Sequence, residues 1–288
     1  MKKILVTGSQ GQLGNSIKKI AVRYNDFEMI YTDVAELDIT NVDALDEFLN
    51  NGAFTHIVNC AAYTAVDKAE DDFEMAKKIN ALGPKLLAQS AAKHDVFLIH
   101  ISTDYVYDGK AYEPYIEAKI CAPPSAYGKS KLLGEEWVRQ HAKEALVIRT
   151  SWLYSEFGHN FLKTMLKYGR EKEELKVVFD QIGSPTYATD LAEAILQIIK
   201  SEKTTEKIES YHYSNEGVAS WYDFAQEIMI ATAIDCKVTP IQTFEYPLPA
   251  PRPFYSVLNK AKIKKEFDLE IPHWRASMMD CLKTLGEI

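Results

Sequence analysis

The sequence contains no uninterrupted apolar run approaching the ~18 residues of a membrane span, and its early apolar run, Ile4-Leu5-Val6, is too short for the hydrophobic region of a secretory signal. A cytoplasmic protein with no membrane partner is expected. Cysteine is sparse: Cys60, Cys121, Cys236 and Cys281 lie far apart, with no Cys-x-x-Cys pair and no clustered histidines. That spacing points away from a disulfide framework and offers no zinc-ligand pattern, so no metal site is expected. Positive charge is in deficit, with 33 Lys and Arg against 41 Asp and Glu and a net charge of -8. Nucleic acids and anionic membranes both require clustered positive surface, so neither is an expected partner. An anionic ligand would need a local pocket. Internal repeats and low-complexity segments are also lacking.

What is present is an ordinary globular composition, 47% hydrophobic and 26% charged over 288 residues, enough to bury a large core. Short β-rich runs at Lys3–Thr7, Glu28–Thr32, His56–Asn59, Val96–Ser102 and Leu146–Arg149 alternate with amphipathic stretches. This alternation predicts right-handed βαβ units and an α/β fold with a doubly wound parallel sheet of Rossmann type. Further along, a helix over His159–Tyr168, a strand over Lys176–Phe179 and a helix over Thr189–Lys200 are expected. Helices near Trp221–Ala233 and Ala261–Phe267 flank a proline-rich stretch, 246–253, that suits neither a helix nor a central strand. The expected division is a dinucleotide-binding domain over 1–150 and a smaller, mainly substrate-binding lobe over 151–288, with segments near 175–215 returning to the first domain.

The first strand runs directly into Gly8-Ser9-Gln10-Gly11-Gln12-Leu13-Gly14, a Gly-x-x-Gly-x-x-Gly loop that opens the first helix. Glycines there permit a tight turn, let backbone amides approach a pyrophosphate and allow the helix to pack closely on the sheet. Gly8, Gln10, Gly11, Gln12, Leu13 and Gly14 are therefore candidate dinucleotide contacts. Asp33, ending the second strand about 20 residues later, suits the adenosine ribose. Its charge favours NADH, although an outward-turned carboxylate would admit NADPH. Asp38 and Ile39 suit adenine contacts. Ala61, Ala62, Tyr63 and Thr64 follow the third strand, at the carboxyl edge where ligands of open α/β sheets bind; ordinary packing would explain the small residues equally well.

Tyr-x-x-x-Lys occurs three times: Tyr115 with Lys119, Tyr127 with Lys131, and Tyr168 with Lys172. Four residues apart on a helix, a phenol and an ammonium share one face. Tyr115 sits among prolines and Tyr168 precedes a charged run, so both read as exposed tyrosines beside solvated lysines. Tyr127 instead opens a good helix, with Ser125 as a plausible N-cap and Leu132, Leu133, Trp137 and Val138 at helical spacing. A tyrosine titrates near pH 10, so proton transfer at neutral pH calls for a neighbour that stabilises its phenolate; Lys131 is the candidate. Thr103, at the end of the fourth strand, offers a hydroxyl to a substrate oxygen. The three residues suit carbonyl reduction or alcohol oxidation.

With these motifs the chain resembles the extended short-chain dehydrogenase/reductase superfamily. More narrowly, five stretches resemble the dTDP-4-dehydrorhamnose reductase family: the segment 61–70, Ser102-Thr103-Asp104-Tyr105-Val106-Tyr107, Tyr127 to Lys131, Arg149-Thr150-Ser151-Trp152, and Arg252-Pro253 followed by Ser256 and Leu258. The resemblance implies NADPH- or NADH-dependent reduction of the 4-keto group of dTDP-4-dehydro-β-L-rhamnose. It makes Tyr127 the proton donor, Lys131 its partner, Thr103 the hydroxyl beside the carbonyl, and Thr103, Asp104 and Trp152 sugar contacts. Val66 is expected at the substrate cleft with Asp67, unless Asp67 caps the next helix. Arg252 either meets the diphosphate or fixes the C-terminal lobe. Asn80, in a helix over Glu70–Ala81, either braces the strand ends or faces solvent. The oligomeric state stays open, a homodimer being compatible.

Three other functions compete with this reading. The related 4,6-dehydratases carry Thr-Asp-Glu where this chain has Thr103-Asp104-Tyr105, which argues against water elimination. A 4-epimerase would use the same tyrosine and lysine but show no net cofactor consumption. A non-catalytic nucleotide-binding subunit, similar to the methionine adenosyltransferase regulatory β subunit, would not need an intact Thr103, Tyr127 and Lys131.

Overall fold

The structure is a computed structural model that describes residues 1–203 and 208–288. β1 (Lys2–Thr7), α1 (Gln12–Ile20), β2 (Phe27–Thr32), α2 (Val42–Gly52) and β3 (His56–Asn59) alternate as the hydrophobic patterning requires. Next come α3 (Lys68–Asp71), α4 (Phe73–Lys77), a π-helical turn over Lys78–Leu82, α5 (Gly83–Lys93) and β4 (Phe97–Thr103). A 3-10 turn over Asp104–Val106 then leads to α6 (Ala126–His141) and β5 (Ala145–Thr150). The remainder comprises β6 (Leu153–Tyr154), α7 (Phe161–Glu171), β7 (Glu174–Val178), β8 (Ile182–Gly183), β9 (Thr186–Tyr187), α8 (Ala188–Lys200), β10 (Glu209–His212), β11 (Ala219–Ser220), α9 (Trp221–Thr232), β12 (Lys237–Ile241), α10 (Ala261–Phe267) and α11 (Trp274–Leu285).

The main sheet is parallel throughout, in the order β10-β5-β4-β3-β1-β2. From β1 the chain steps to β2 on one side, then returns to β3 on the other. The strand order therefore reverses between β1 and β3, which opens a crevice beyond their carboxyl ends. Paired register brings Thr7 beside Asn59 and Thr103 beside Thr150, so the loops after these strands converge on one edge. Alternate side chains cover opposite faces: Ile4, Val6, Val58 and Ile148 pack with α1 and α8, whereas Leu5, Ile57, Leu98 and Val147 pack with α2 and α5.

A second core gathers Leu162, Met165, Leu175, Phe224, Ile228, Val238, Trp274 and Met278 from α7, β7, α9, β12 and α11. β7 belongs to this core, while Leu191 and Ile195 of α8, Tyr211 of β10, and Ile263 and Phe267 of α10 pack in the first. No helix among the described residues is long and apolar enough to cross a membrane.

Several local expectations need correction. The helix expected over Glu70–Ala81 is broken at Asp72, whose side chain accepts from the Met75 N–H to start α4, and it then widens into the π turn. Tyr115 is buried, not exposed, and its phenol donates to Asp108 at 2.6 Å. Tyr168 is 38% exposed, with the Lys172 ammonium 5.0 Å from the centre of its ring. Asp67 makes no capping bond to α3.

Candidate functional site

Two adjoining cavities occupy the crevice, of ≈ 440 and ≈ 460 Å³, sharing Gly8, Gly11, Cys60 and Ala62. Gly8 has φ +63°, and a Cβ there would fall 2.6 Å from the Ala61 Cα, so only glycine lets the end of β1 pass against the end of β3. Gly11 stands at the N-cap of α1 without a side-chain cap, which leaves the helix N–H groups available to an anion. Asp33 Oδ2 accepts from the Gln10 N–H at 3.0 Å, tying the second strand to the glycine loop. Asp33, Asp38, Ile39, Gln10 and Ala61 line the first cavity. Hydrogen bonds from the Thr40 N–H and hydroxyl, both 2.8 Å, hold the Asp38 carboxyl below the usual range. Among the described residues, no Lys or Arg lines this cavity. A glycine cradle at a helix start, two carboxylates and small walls fit a dinucleotide.

The second cavity brings together Gln12, Leu13, Gly14, Thr64, Thr103, Asp104, Tyr127, Lys131 and Trp152. Ser125 caps α6 by accepting from the Gly128 N–H at 3.1 Å, so Tyr127 stands in the first turn and Lys131 one turn on. Lys131 is only 2% exposed, and its ammonium donates to the Ile101 carbonyl at 2.7 Å. Burial pushes its pKa down to about 8, opposed by the negative charge of Glu135.

Burial also pushes the Tyr127 phenol up to about 12, eased by the nearby Thr103 hydroxyl. The Lys131 ammonium, expected to lower the phenol, is turned onto the Ile101 carbonyl of β4 and does not contribute to this shift. At neutral pH Tyr127 carries its proton.

Thr103 Oγ1 also donates to Asp104 Oδ1 at 3.0 Å. Burial raises the Asp104 carboxyl to about 6; the nearby Ser256 hydroxyl eases its charge without forming a well-aligned hydrogen bond. Asp104 Oδ2 and Thr150 Oγ1, both buried at the cavity wall, have no partner among the described residues. Buried polar atoms are rarely left unpaired, so these two oxygens call for a polar ligand or an ordered water. Tyr105 supplies no carboxylate; its ring meets that of Tyr127 edge-on at 5.5 Å.

Trp152 has φ +48°, a left-handed conformation rare for a bulky side chain, and stacks on Trp221 at 3.6 Å while facing the cavity. It thus joins the second core to the site. Four expected contacts, Tyr63, Val66, Asp67 and Arg252, line neither cavity. Tyr63 is held through its backbone: Asn80, fully buried, accepts from its N–H at 2.8 Å and donates to its carbonyl at 3.0 Å. Asn80 also donates to Ser130, which donates to the Tyr127 carbonyl, so Asn80 braces the loop after β3 against α6. Val66 packs beside Tyr127 and Ala126. Arg252 donates to Asp67 Oδ2 at 2.7 Å and to the Ala250 carbonyl at 3.1 Å.

Cys60, Ser102, Thr150, Gly158 and His159 line the second cavity without having been singled out from the sequence. Position at a strand end could have flagged the first three. Gly158 and His159 arrive through tertiary structure, because Gln12 Oε1 accepts from both Ser155 and Asn160 and so holds their loop at the glycine turn.

The model of the RmlD substrate binding domain family matches residues 1–287. A dTDP-4-dehydrorhamnose reductase of Aggregatibacter actinomycetemcomitans is 38% identical, over 96% of this chain and 97% of the relative. Among solved structures, a dTDP-4-dehydrorhamnose reductase from Clostridium acetobutylicum superimposes with a TM-score of 0.93 at 44% identity, covering 99% of each chain. One from Bacillus anthracis, in complex with NADP, gives 0.93 at 36% identity, covering 99% of this chain and 100% of the other.

Proposed function

Because the chain belongs to the RmlD substrate binding domain family, we propose that it is a dTDP-4-dehydrorhamnose reductase, reducing the 4-keto group of dTDP-4-dehydro-β-L-rhamnose to give dTDP-L-rhamnose. The observation that carries this reading is the convergence of Thr103, Tyr127 and Lys131 with the glycine turn on one cavity. Gly8 to Gly14, Asp33, Asp38, Ile39 and the Ala61–Thr64 segment would hold NADPH or NADH. When bound, that cofactor supplies the hydride.

The protein's own part is orientation and proton transfer. Thr103 donates a hydrogen bond to the substrate carbonyl oxygen and exchanges its present bond to Asp104 for that contact. Tyr127, protonated at neutral pH, gives its proton to the same oxygen as negative charge develops there. Lys131 is fixed on the Ile101 carbonyl beside the phenol. Its ammonium, one helical turn from Tyr127, would hold the nicotinamide ribose of the bound cofactor and so keep the proton donor and the hydride source in one geometry. Asp104 Oδ2 and Thr150 Oγ1 are the unpaired groups that sugar hydroxyls can satisfy. The second core, reaching the cavity through Trp152, serves as the substrate-binding lobe.

The test is cofactor consumption by the purified protein with dTDP-4-dehydro-β-L-rhamnose and each reduced cofactor. Stoichiometric loss of NADPH or NADH with formation of dTDP-L-rhamnose is expected. Absence of consumption with both would refute the assignment. Sugar inversion without consumption would indicate an epimerase.

A further inference from the structure

Glu135 lies one helical turn beyond Lys131 on α6, is fully buried, and lines neither cavity. Its carboxylate is a meeting point for the elements that build the site. Ser102, next to Thr103 on β4, donates to Oε1 at 2.6 Å. Arg149, next to Thr150 on β5, makes a two-pronged contact, Nε to Oε1 at 2.9 Å and a terminal nitrogen to Oε2 at 2.7 Å. Arg139, one turn on, reaches Oε2 at 3.1 Å. Arg149 also donates to the Tyr107 hydroxyl at 2.6 Å, which in turn contacts His212 of β10 at 2.7 Å. A buried ion pair contributes little net stability, because desolvation offsets the attraction. This arrangement therefore invites a functional explanation.

We propose that Glu135 is a positioning residue of the reaction, locking the strand end that carries Thr103 to the helix that carries Tyr127 and Lys131 and supplying the counter-charge for the Lys131 ammonium. The inference rests on the reading of Lys131 as the partner of Tyr127. The groups facing Lys131 are Tyr127 and Glu135 on its own helix, Cys60 at the end of β3, and His100 with the Ile101 carbonyl on β4. Burial pushes the Cys60 thiol up to about 12 and holds His100 well below its ordinary value, so both are neutral around pH 8. Around Glu135 stand Arg149, Arg139, Tyr107, Cys121 and His212. Burial raises the Tyr107 phenol and the Cys121 thiol and takes His212 down to about 3. Glu135 is thus the carboxylate set against both the two guanidinium groups and Lys131. Without its charge, the Lys131 ammonium would lose the carboxylate that favours its charged form.

The test compares wild type, Glu135→Gln and Arg139→Gln by the pH dependence of kcat/KM, and by direct titration of Lys131 using NMR of 13Cε-labelled lysine. In Glu135→Gln, the Lys131 midpoint and the alkaline limb of kcat/KM should move down by about one pH unit. In Arg139→Gln, which removes a positive charge at a side chain 33% exposed, both should move up by a few tenths of a unit. A purely structural Glu135 would lower thermal stability and kcat without these opposed movements. An unchanged Lys131 midpoint in both variants would overturn the proposal. If Glu135→Gln does not fold, the Arg139→Gln midpoint decides alone, an upward shift supporting the proposal and no shift refuting it. If wild type fails to reduce the keto sugar, the functional assignment falls, while the NMR titration still decides the electrostatic role.

Discussion

Arg252 and Asp67, 185 residues apart, are joined by a guanidinium-to-carboxylate contact of 2.7 Å. Asp67 Oδ1 also accepts from the Ala250 N–H, so this carboxylate ties the proline-rich segment to the loop after β3. The structure thereby favours Arg252 as a fastener of the C-terminal segment. Arg252→Gln and Asp67→Asn should each raise KM for the sugar nucleotide about three- to tenfold, with little change in KM for the cofactor. The exchanged pair, Asp67→Arg with Arg252→Asp, should recover part of the loss. Melting temperatures should fall only slightly, because Asp67, 38% exposed, keeps one side of the pair in solvent and such pairs contribute ~1 kcal/mol. If only Arg252→Gln raised KM and Asp67→Asn did not, direct contact of Arg252 with the diphosphate would be the better account.

The end of the crevice proposed to take the adenosine carries Asp33 and Asp38, with no lining cation among the described residues. A 2′-phosphate there meets like charge. Asp33→Asn keeps an oxygen for the Gln10 N–H but removes the repulsion. It should raise the ratio of kcat/KM for NADPH over NADH by about tenfold. Steady-state rates with both cofactors measure the ratio directly, and an unaltered ratio would show that Asp33 does not discriminate between them.

Asp104 links the site to stability. Burial raises its carboxyl from 3.8 to about 6 in the folded protein. Well below pH 3.8 the carboxyl is protonated in both states and no penalty exists. As pH rises from 3.8 to about 6 the unfolded chain ionises while the folded one resists, so wild type loses stability across that window and the loss levels off above it. Asp104→Asn should therefore match wild type at about pH 3 and be more stable above about pH 6, by up to about 3 kcal/mol. Denaturant unfolding at both pH values provides the check. A difference independent of pH would mean that the carboxyl ionises freely when folded.

The sheet and the residues at its carboxyl edge were legible because each depends on local pattern: alternating apolar strands, a glycine turn, and a serine cap two residues before Tyr127. What escaped depends on partners remote in sequence. β10 is a short run, Glu209-Ser210-Tyr211-His212, whose buried histidine is tolerable because the Tyr107 hydroxyl and the Asn259 carbonyl meet its two ring nitrogens. β12 contains Pro240, usually a mark against a strand, yet it pairs with β7 at the margin of the second core. The π turn around Asn80 answers to both backbone groups of Tyr63, and nothing in the helical periodicity signals such a contact. The charge of Lys131 likewise led to an expectation about Tyr127 that omitted the Ile101 carbonyl, which a backbone-blind reading of Tyr-x-x-x-Lys does not include.

The central claim is that Tyr127 donates the proton in carbonyl reduction, and Tyr127→Phe tests it most directly. The variant removes one hydroxyl and leaves the ring packed against Tyr105. Cofactor affinity and melting temperature should stay close to wild type, while kcat with dTDP-4-dehydro-β-L-rhamnose should fall by about a hundred- to ten-thousandfold. Turnover within a few-fold of wild type, in a variant that still binds the cofactor, would contradict the account.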